Sequence, residues 1–198
     1  HFEWTEINIQ CSSTDGIQVI FHDLPYVYAG EDTTICLGNQ AILHGVGTGA
    51  LQWDPDTLVN YPNIAEPLTI IDSTTLFTFT ITSQYGCVNS DQVEVIVRDT
   101  AVANAGPDQK LEYIFNTYLD AALENPWEHG VWSVIDGTSN IEDTTYTGTE
   151  VTDLSVGNNL FLWTVSNDVC PLVYDTVIIS VRDLENSTLI TPNGDGKN

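Results

Sequence analysis

The feature that most constrains this chain is that it repeats itself. Trp4-Thr5 is followed by Cys11, Asp15 and Asp23, and Trp163-Thr164 by Cys170, Asp175 and Asp183. Between them, Phe77-Thr78-Phe79 leads to Cys87, Asp91 and Asp99. In each copy a Cys precedes an Asp by four or five residues, and a second Asp follows eight later. An apolar run separates the two aspartates, at 17–21, 93–97 and 177–181. A second landmark, Ala29-Gly30-Glu31-Asp32, returns as Ala105-Gly106-Pro107-Asp108 after 76 residues, the same interval that separates Cys11 from Cys87. Cys87 to Cys170 is 83, so the last copy carries a few extra loop residues. A recurring period of this length marks one packing module per repeat. The expected organisation is therefore the last two strands of a preceding repeat at 1–27, full repeats at 28–99 and 100–184, and at 185–198 a linker running into a further domain.

Within the repeats the residue pattern is that of strands. Phe77-Thr78-Phe79-Thr80-Ile81-Thr82 alternates apolar and Thr with a period of two, as a half-buried strand does. Leu160-Phe161-Leu162-Trp163-Thr164-Val165 is more continuously apolar, which predicts a strand covered on both faces. Turn signals such as Tyr85-Gly86, Asp136-Gly137 and Gly157-Asn158-Asn159 separate the runs. Only Tyr118 to Glu124 has a composition suited to a helical turn. About seven short strands in each repeat predict an all-β fold of tandem Ig-like β-sandwiches. Trp53 and Trp132 each fall in a middle strand, where an indole fills the space between two sheets; the alternative is an exposed ligand platform.

Charge excludes several functions. The 198 residues contain 28 Asp+Glu against 4 Lys+Arg, a net charge of −24. Such a surface repels phosphate backbones and anionic head groups, so neither nucleic acid nor a membrane surface is an expected partner. No run approaches the roughly 20 apolar residues of a bilayer-spanning helix, so no membrane insertion of its own is expected. The opening His1-Phe2-Glu3-Trp4 is not a leader, and together with the repeats this predicts a piece of a longer polypeptide.

Cys36 and Cys87 are the cysteines of the first full repeat and are expected to pair, which would stabilise it by about 4 kcal/mol and place the protein in an oxidising compartment. Glu112 stands where the second repeat would carry the match of Cys36, leaving Cys170 without an obvious partner, and that of Cys11 would lie upstream. The four histidines fall apart from one another and from any nucleophile motif, so no catalytic residue is expected. Calcium is the one cofactor to consider. Asp23, Asp99 and Asp183 sit at equivalent strand ends and could hold a cation there, or simply end the strand and begin a turn.

The stretch Ala29-Gly30-Glu31-Asp32-Thr33-Thr34-Ile35-Cys36-Leu37-Gly38, with Trp53-Asp54-Pro55, Asn60-Tyr61-Pro62-Asn63-Ile64-Ala65-Glu66-Pro67 and Tyr85-Gly86-Cys87, resembles the PKD/Ig-like repeats of large Bacteroidota surface proteins. The second repeat is similar through Ala103-Asn104-Ala105-Gly106-Pro107-Asp108, Trp132-Ser133-Val134 and 161–165. The closing Leu189-Ile190-Thr191-Pro192-Asn193-Gly194-Asp195-Gly196-Lys197-Asn198 resembles the start of a gliding-motility-associated C-terminal domain, the sorting signal of type IX secretion. The resemblance implies export through the type IX outer-membrane translocon and its shuttle proteins, to the cell surface or beyond. It further implies an adhesin stalk serving gliding or attachment, with a spacer in a secreted enzyme or glycan-binding protein as the alternative. A glycan or protein ligand held by Trp127 or Tyr146 in the longer loops is a third reading. O-glycosylation at Asp-Ser/Thr pairs is implied too, with Thr33, Thr57, Ser73, Thr100, Thr144 and Thr176 as acceptors, although Asp-Thr is also an ordinary turn pair.

Overall fold

The computed structural model describes residues 1–9 and 11–183, so the sorting-signal residues Thr191, Pro192, Asn193, Gly194, Asp195 and Gly196 lie outside the described residues. The chain divides into two units, His1–Val97 and Arg98–Asn198. The fold is all-β, as the strand periodicity predicts. The single helical turn among the described residues is a 3-10 turn at Asp56–Leu58.

Unit 1 contains β1 (Phe2–Asn8), β2 (Cys11–Ile17), β3 (Val27–Tyr28), β4 (Thr33–Cys36), β5 (Val46–Gly47), β6 (Ala50–Asp54), β7 (Thr75–Thr82) and β8 (Val88–Arg98). One sheet runs β4-β8-β7-β6. The other is built from β3 paired with β5 and from short bridges, Ile42 with Leu68 and Val59 with Thr69. Alternation decides the core: Phe77, Phe79 and Ile81 of β7 point inward and are wholly buried, while the intervening threonines are only half-buried. They pack with Trp53, Val93 and Val95 from their own sheet and with Ala29, Leu43 and Val59 from the other.

Unit 2 contains β9 (Gln109–Glu112), β10 (Thr117–Tyr118), β11 (His129–Asp136), β12 (Asn140–Ile141), β13 (Glu150–Thr152), β14 (Gly157–Ser166) and β15 (Val173–Arg182). Its sheets are β11-β14-β15-β9 and β10-β13-β12. The expected helical turn at Tyr118 to Glu124 is not formed. Leu119 and Ala121 donate their N–H groups to the carbonyls of Thr149 and Thr147, so the segment prolongs the β10–β13 ladder and buries both side chains. Nor is the strand at 160–165 buried on both faces: Phe161, Trp163 and Val165 are buried, Leu160 and Leu162 only partly.

The hairpin β1–β2 is the third copy of the repeat's closing strand pair, and every described residue in it is exposed. Its second strand stops at Ile17, short of the expected run at 17–21. The register explains this: Ile17 already faces Phe2, the first residue of β1, so the partner strand has run out.

Both expected core tryptophans are buried, Trp53 at 0% and Trp132 at 1% exposure. Their settings differ instructively. Trp53 stacks on Phe79, with ring centroids 4.5 Å apart, and its Nε1–H donates to the Ile64 carbonyl at 3.0 Å. In unit 2 the position of Phe79 is taken by Trp163, 4.8 Å from Trp132, and neither indole N–H has a hydrogen-bond partner. Room for the larger ring comes from Gly130, where an added Cβ would lie 1.8 Å from the Trp163 ring. The matching residue of unit 1 is Leu51, since Leu51 faces Ile81 as Gly130 faces Val165. The larger ring of unit 2 is thus accompanied by the smaller neighbour, and the smaller ring of unit 1 by the larger one.

This compensation predicts that Gly130→Leu alone destabilises unit 2 by at least about 1–3 kcal/mol through overpacking. Adding Trp163→Phe should recover most of the loss, because it also removes an unpaired buried N–H. Urea unfolding of the single and double variants checks this; strictly additive losses would contradict it.

Candidate functional site

The recurring aspartates form the most distinctive polar structure of the chain. The carboxylate of Asp91 accepts the backbone N–H of Ala29 at 2.8 Å, and that of Asp175 accepts the N–H of Ala105 at 2.8 Å. In the reverse direction, Asp32 accepts the N–H of Glu94 and Asp108 that of Ile178, again at 2.8 Å. Each unit therefore ties its entering segment to its last strand with two carboxylate bonds, one aspartate on each side. The Ala-Gly-x-Asp landmark supplies one N–H donor and one acceptor, with Gly30 (φ 97°) and Gly106 (φ 79°) in the left-handed region between them. At Gly106 an added Cβ would come within 2.3 Å of the Asp120 carbonyl oxygen, so only glycine fits the turn.

The turn before the last strand is organised by a second polar device. Buried Asn167, 1% exposed, accepts the N–H groups of Val169 and Cys170 at its Oδ1 and donates from Nδ2 to the Asp99 carbonyl at 2.7 Å. In unit 1 the Ser83 hydroxyl takes the first role, accepting from Tyr85 and Cys87. Arg98 donates to the Asn167 carbonyl at 3.1 Å, and its guanidinium lies 5.4 Å from the centre of the Trp127 ring. That contact sets Trp127, 43% exposed, beside one of the four Lys+Arg side chains. Tyr146 is exposed on another loop.

Next to Trp127, Glu128 is 5% exposed. Burial pushes its carboxyl pKa up, but hydrogen bonds from the Asn125 side-chain amide and from the Asn125 and Glu124 backbone N–H groups outweigh this and hold it below the ordinary glutamate value. Asp143 is likewise held low by the backbone N–H and hydroxyl of Thr145, in a tight turn on the surface.

The expected disulfide between Cys36 and Cys87 is not made. Cys87 and Cys11 carry free thiols, whereas Cys36 and Cys170 are disulfide-bonded. The strand geometry explains why the first repeat's two cysteines stay apart. Asp32 is tied to Glu94 as Asp108 is to Ile178. In unit 2 the strand that follows this aspartate runs parallel to the last strand and carries Glu112, the match of Cys36, beside Arg182. The same course in unit 1, where β4 neighbours β8, takes Cys36 away from the turn that holds Cys87. Cys170 Sγ lies 3.5 Å from the carbonyl oxygens of Arg98 and Asp99.

Asp23 and Asp99 are exposed, and among the described residues no three His, Cys, Asp or Glu side chains converge as a metal site. Thr33, Thr57, Ser73, Thr100, Thr144 and Thr176 are all exposed residues.

The carboxylate ties predict a graded response to truncation. Ala29 and Ala105 are buried at 0% and 1%, so Asp91→Ala or Asp175→Ala strands a dry N–H and should cost about 1–3 kcal/mol. Glu94 and Ile178 are only partly buried, so water can replace the acceptor, and Asp32→Ala or Asp108→Ala should cost less than about 1 kcal/mol. Denaturant titration of the four variants checks the order. For Glu128, a lowered folded-state pKa means stability that is present above the unfolded value and is lost as pH falls through the folded one. Glu128→Gln should therefore flatten the acid limb of the stability profile of unit 2 relative to the parent chain. Alkylation of the denatured, unreduced chain should label Cys11 and Cys87, with Cys36 and Cys170 labelled only after reduction.

No protein-family model and no curated protein matches the chain. Among solved structures, the Ig1+Ig2 fragment of DIP-gamma aligns with 81% of this chain and 98% of its own at 16% identity, with a TM-score of 0.51. Extracellular domains 3–5 of Drosophila OTK align with 91% of this chain and 70% of their own at 13% identity, with a TM-score of 0.54. A PKD domain solution structure aligns with 44% of this chain and 91% of its own at 23% identity, with a TM-score of 0.39, a likeness too loose to argue from. At these identities the resemblance is one of fold, and the chain is a tandem of Ig-like β-sandwiches.

Proposed function

We propose that this chain is a non-catalytic stalk of a secreted cell-surface adhesin, exported by the type IX system and serving gliding or attachment. The observation that carries the stalk reading is the pairing of the entering and last strands of unit 2. β9 runs parallel to β15, with Gln109 beside Ile179 and Glu112 beside Arg182. Pulling on the two ends of such a unit loads these ladder bonds together in shear, whereas an antiparallel hairpin opens one bond at a time. The bonds from Asp108 and Asp175 lie across the same seam and would share the load.

Type IX export rests on the closing decapeptide at 189–198 and its likeness to a sorting domain. On this reading the translocon and its shuttle proteins are the partners during export, and the six exposed Asp-Ser/Thr hydroxyls are O-glycan acceptors. Calcium at Asp23, Asp99 and Asp183 would stiffen the chain. A spacer beside an active module located elsewhere in the polypeptide is the second reading, and the acidic, compact repeats suit it as well.

Single-molecule pulling on the chain tests the stalk reading. Unit 2 should resist as a sheared clamp, and Asp175→Ala should lower its unfolding force. Rupture at the low force of an unzipping hairpin would overturn it. On intact producing cells, surface protease should reach the protein, and loss of the type IX translocon should abolish that access.

A further inference from the structure

The exposed hairpin β1–β2 matches, row for row, the hairpins that both units bury. Trp4 faces Asp15 and Phe2 faces Ile17. Phe79 faces Asp91 and Phe77 faces Val93 in unit 1. Trp163 faces Asp175 and Phe161 faces Val177 in unit 2. The turns agree as well: Asn8-Ile9-Gln10-Cys11 has the spacing of Asn167-Asp168-Val169-Cys170, and Ile9 and Asp168 both take positive φ, 32° and 65°.

What differs is the covering. Phe77, Phe79, Phe161 and Trp163 are 0% exposed, whereas Phe2 and Trp4 are 66% and 72% exposed, and Val19 and Phe21 further along stay open too. Asp91 and Asp175 hold the N–H of an incoming alanine, whereas among the described residues the Asp15 carboxylate accepts from the adjacent Gly16 N–H, at 2.9 Å, and from no alanine. An apolar face and a carboxylate of the matching geometry are thus both open. Glu6 replaces Ile81 and Val165 in the row nearest the turn, so the apolar contact covers the two rows beyond it.

We infer that β1–β2 is an acceptor for the first strands of a repeat of this same kind, entering with an Ala-Gly-x-Asp turn whose alanine N–H donates to Asp15. The two complete units specify the occupant: in both, the same face is covered by such a segment and the matching aspartate closes on it. Phe2 and Trp4 would be buried as Phe77 and Phe79 are.

The experiment extends the chain. Residues 28–75 placed ahead of His1 preserve the spacing, because His1 corresponds to Leu76, the residue before Phe77. Hydrogen exchange of the β1 and β2 amides should slow at least tenfold in the extended chain relative to the parent. Asp15→Ala should reverse part of that protection in the extended chain and leave the parent unchanged. Equal exchange in the two chains would overturn the inference. A second measurement on the parent alone guards against a misfolded extension: Trp4 must be freely quenched by acrylamide in the dilute monomer. Shielding of Trp4 there, or protection that grows with concentration and marks a second copy as the occupant, would also overturn it.

Discussion

A β-sandwich has to hold its first strand where the chain crosses from one sheet to the other, and at that corner the backbone leaves both ladders. Ala29 and Ala105 are at such corners, both buried, and their N–H groups donate to aspartate carboxylates. A buried donor without an acceptor costs nearly as much as a hydrogen bond is worth in a dry site. Asp91 and Asp175 resolve this with ionised acceptors, whose bonds to N–H groups are stronger than neutral ones. Asp32 and Asp108 return the bond from the opposite side, so the entering segment is held at two points on the last strand. The cores between the sheets differ in detail, Trp against Phe in one and Trp against Trp in the other, yet the four carboxylate bonds are the same length in both.

This arrangement links fold to the proposed role. A stalk transmits tension through its ends, and the ends of unit 2 leave from strands that are neighbours and parallel. Bonds placed across that seam must fail together for the unit to open. The surplus of acid over base, 28 against 4, keeps such a chain soluble and repels copies of itself, while carboxylates committed to backbone N–H groups also take part of that charge into useful bonds.

Much of the fold was legible in the residues. Period-two alternation in 77–82 marks a half-buried strand, and of the two places a middle strand offers an indole, Trp53 and Trp132 take the one between the sheets. The disulfide was not legible, since counting cysteines within a repeat says nothing about which end of the last strand each one reaches. Residues 119–121 looked helical by composition, but their burial and their ladder to Thr147 and Thr149 overrode propensity. The site was half legible. The recurrence of Asp15, Asp91 and Asp175, and of Asp32 and Asp108, stood in the sequence, yet the donor each full-repeat aspartate serves lies 62 or 70 residues away and only the fold brings it near.

The central claim is that four carboxylates, rather than the core alone, hold the entering segment of each unit. Native-state amide hydrogen exchange tests it directly. The N–H groups of Ala29, Glu94, Ala105 and Ile178 should be protected in the parent chain, and each should lose protection when its own acceptor, Asp91, Asp32, Asp175 or Asp108, is replaced by alanine. Protection at these four amides that is the same in the parent and in the alanine variants would contradict it.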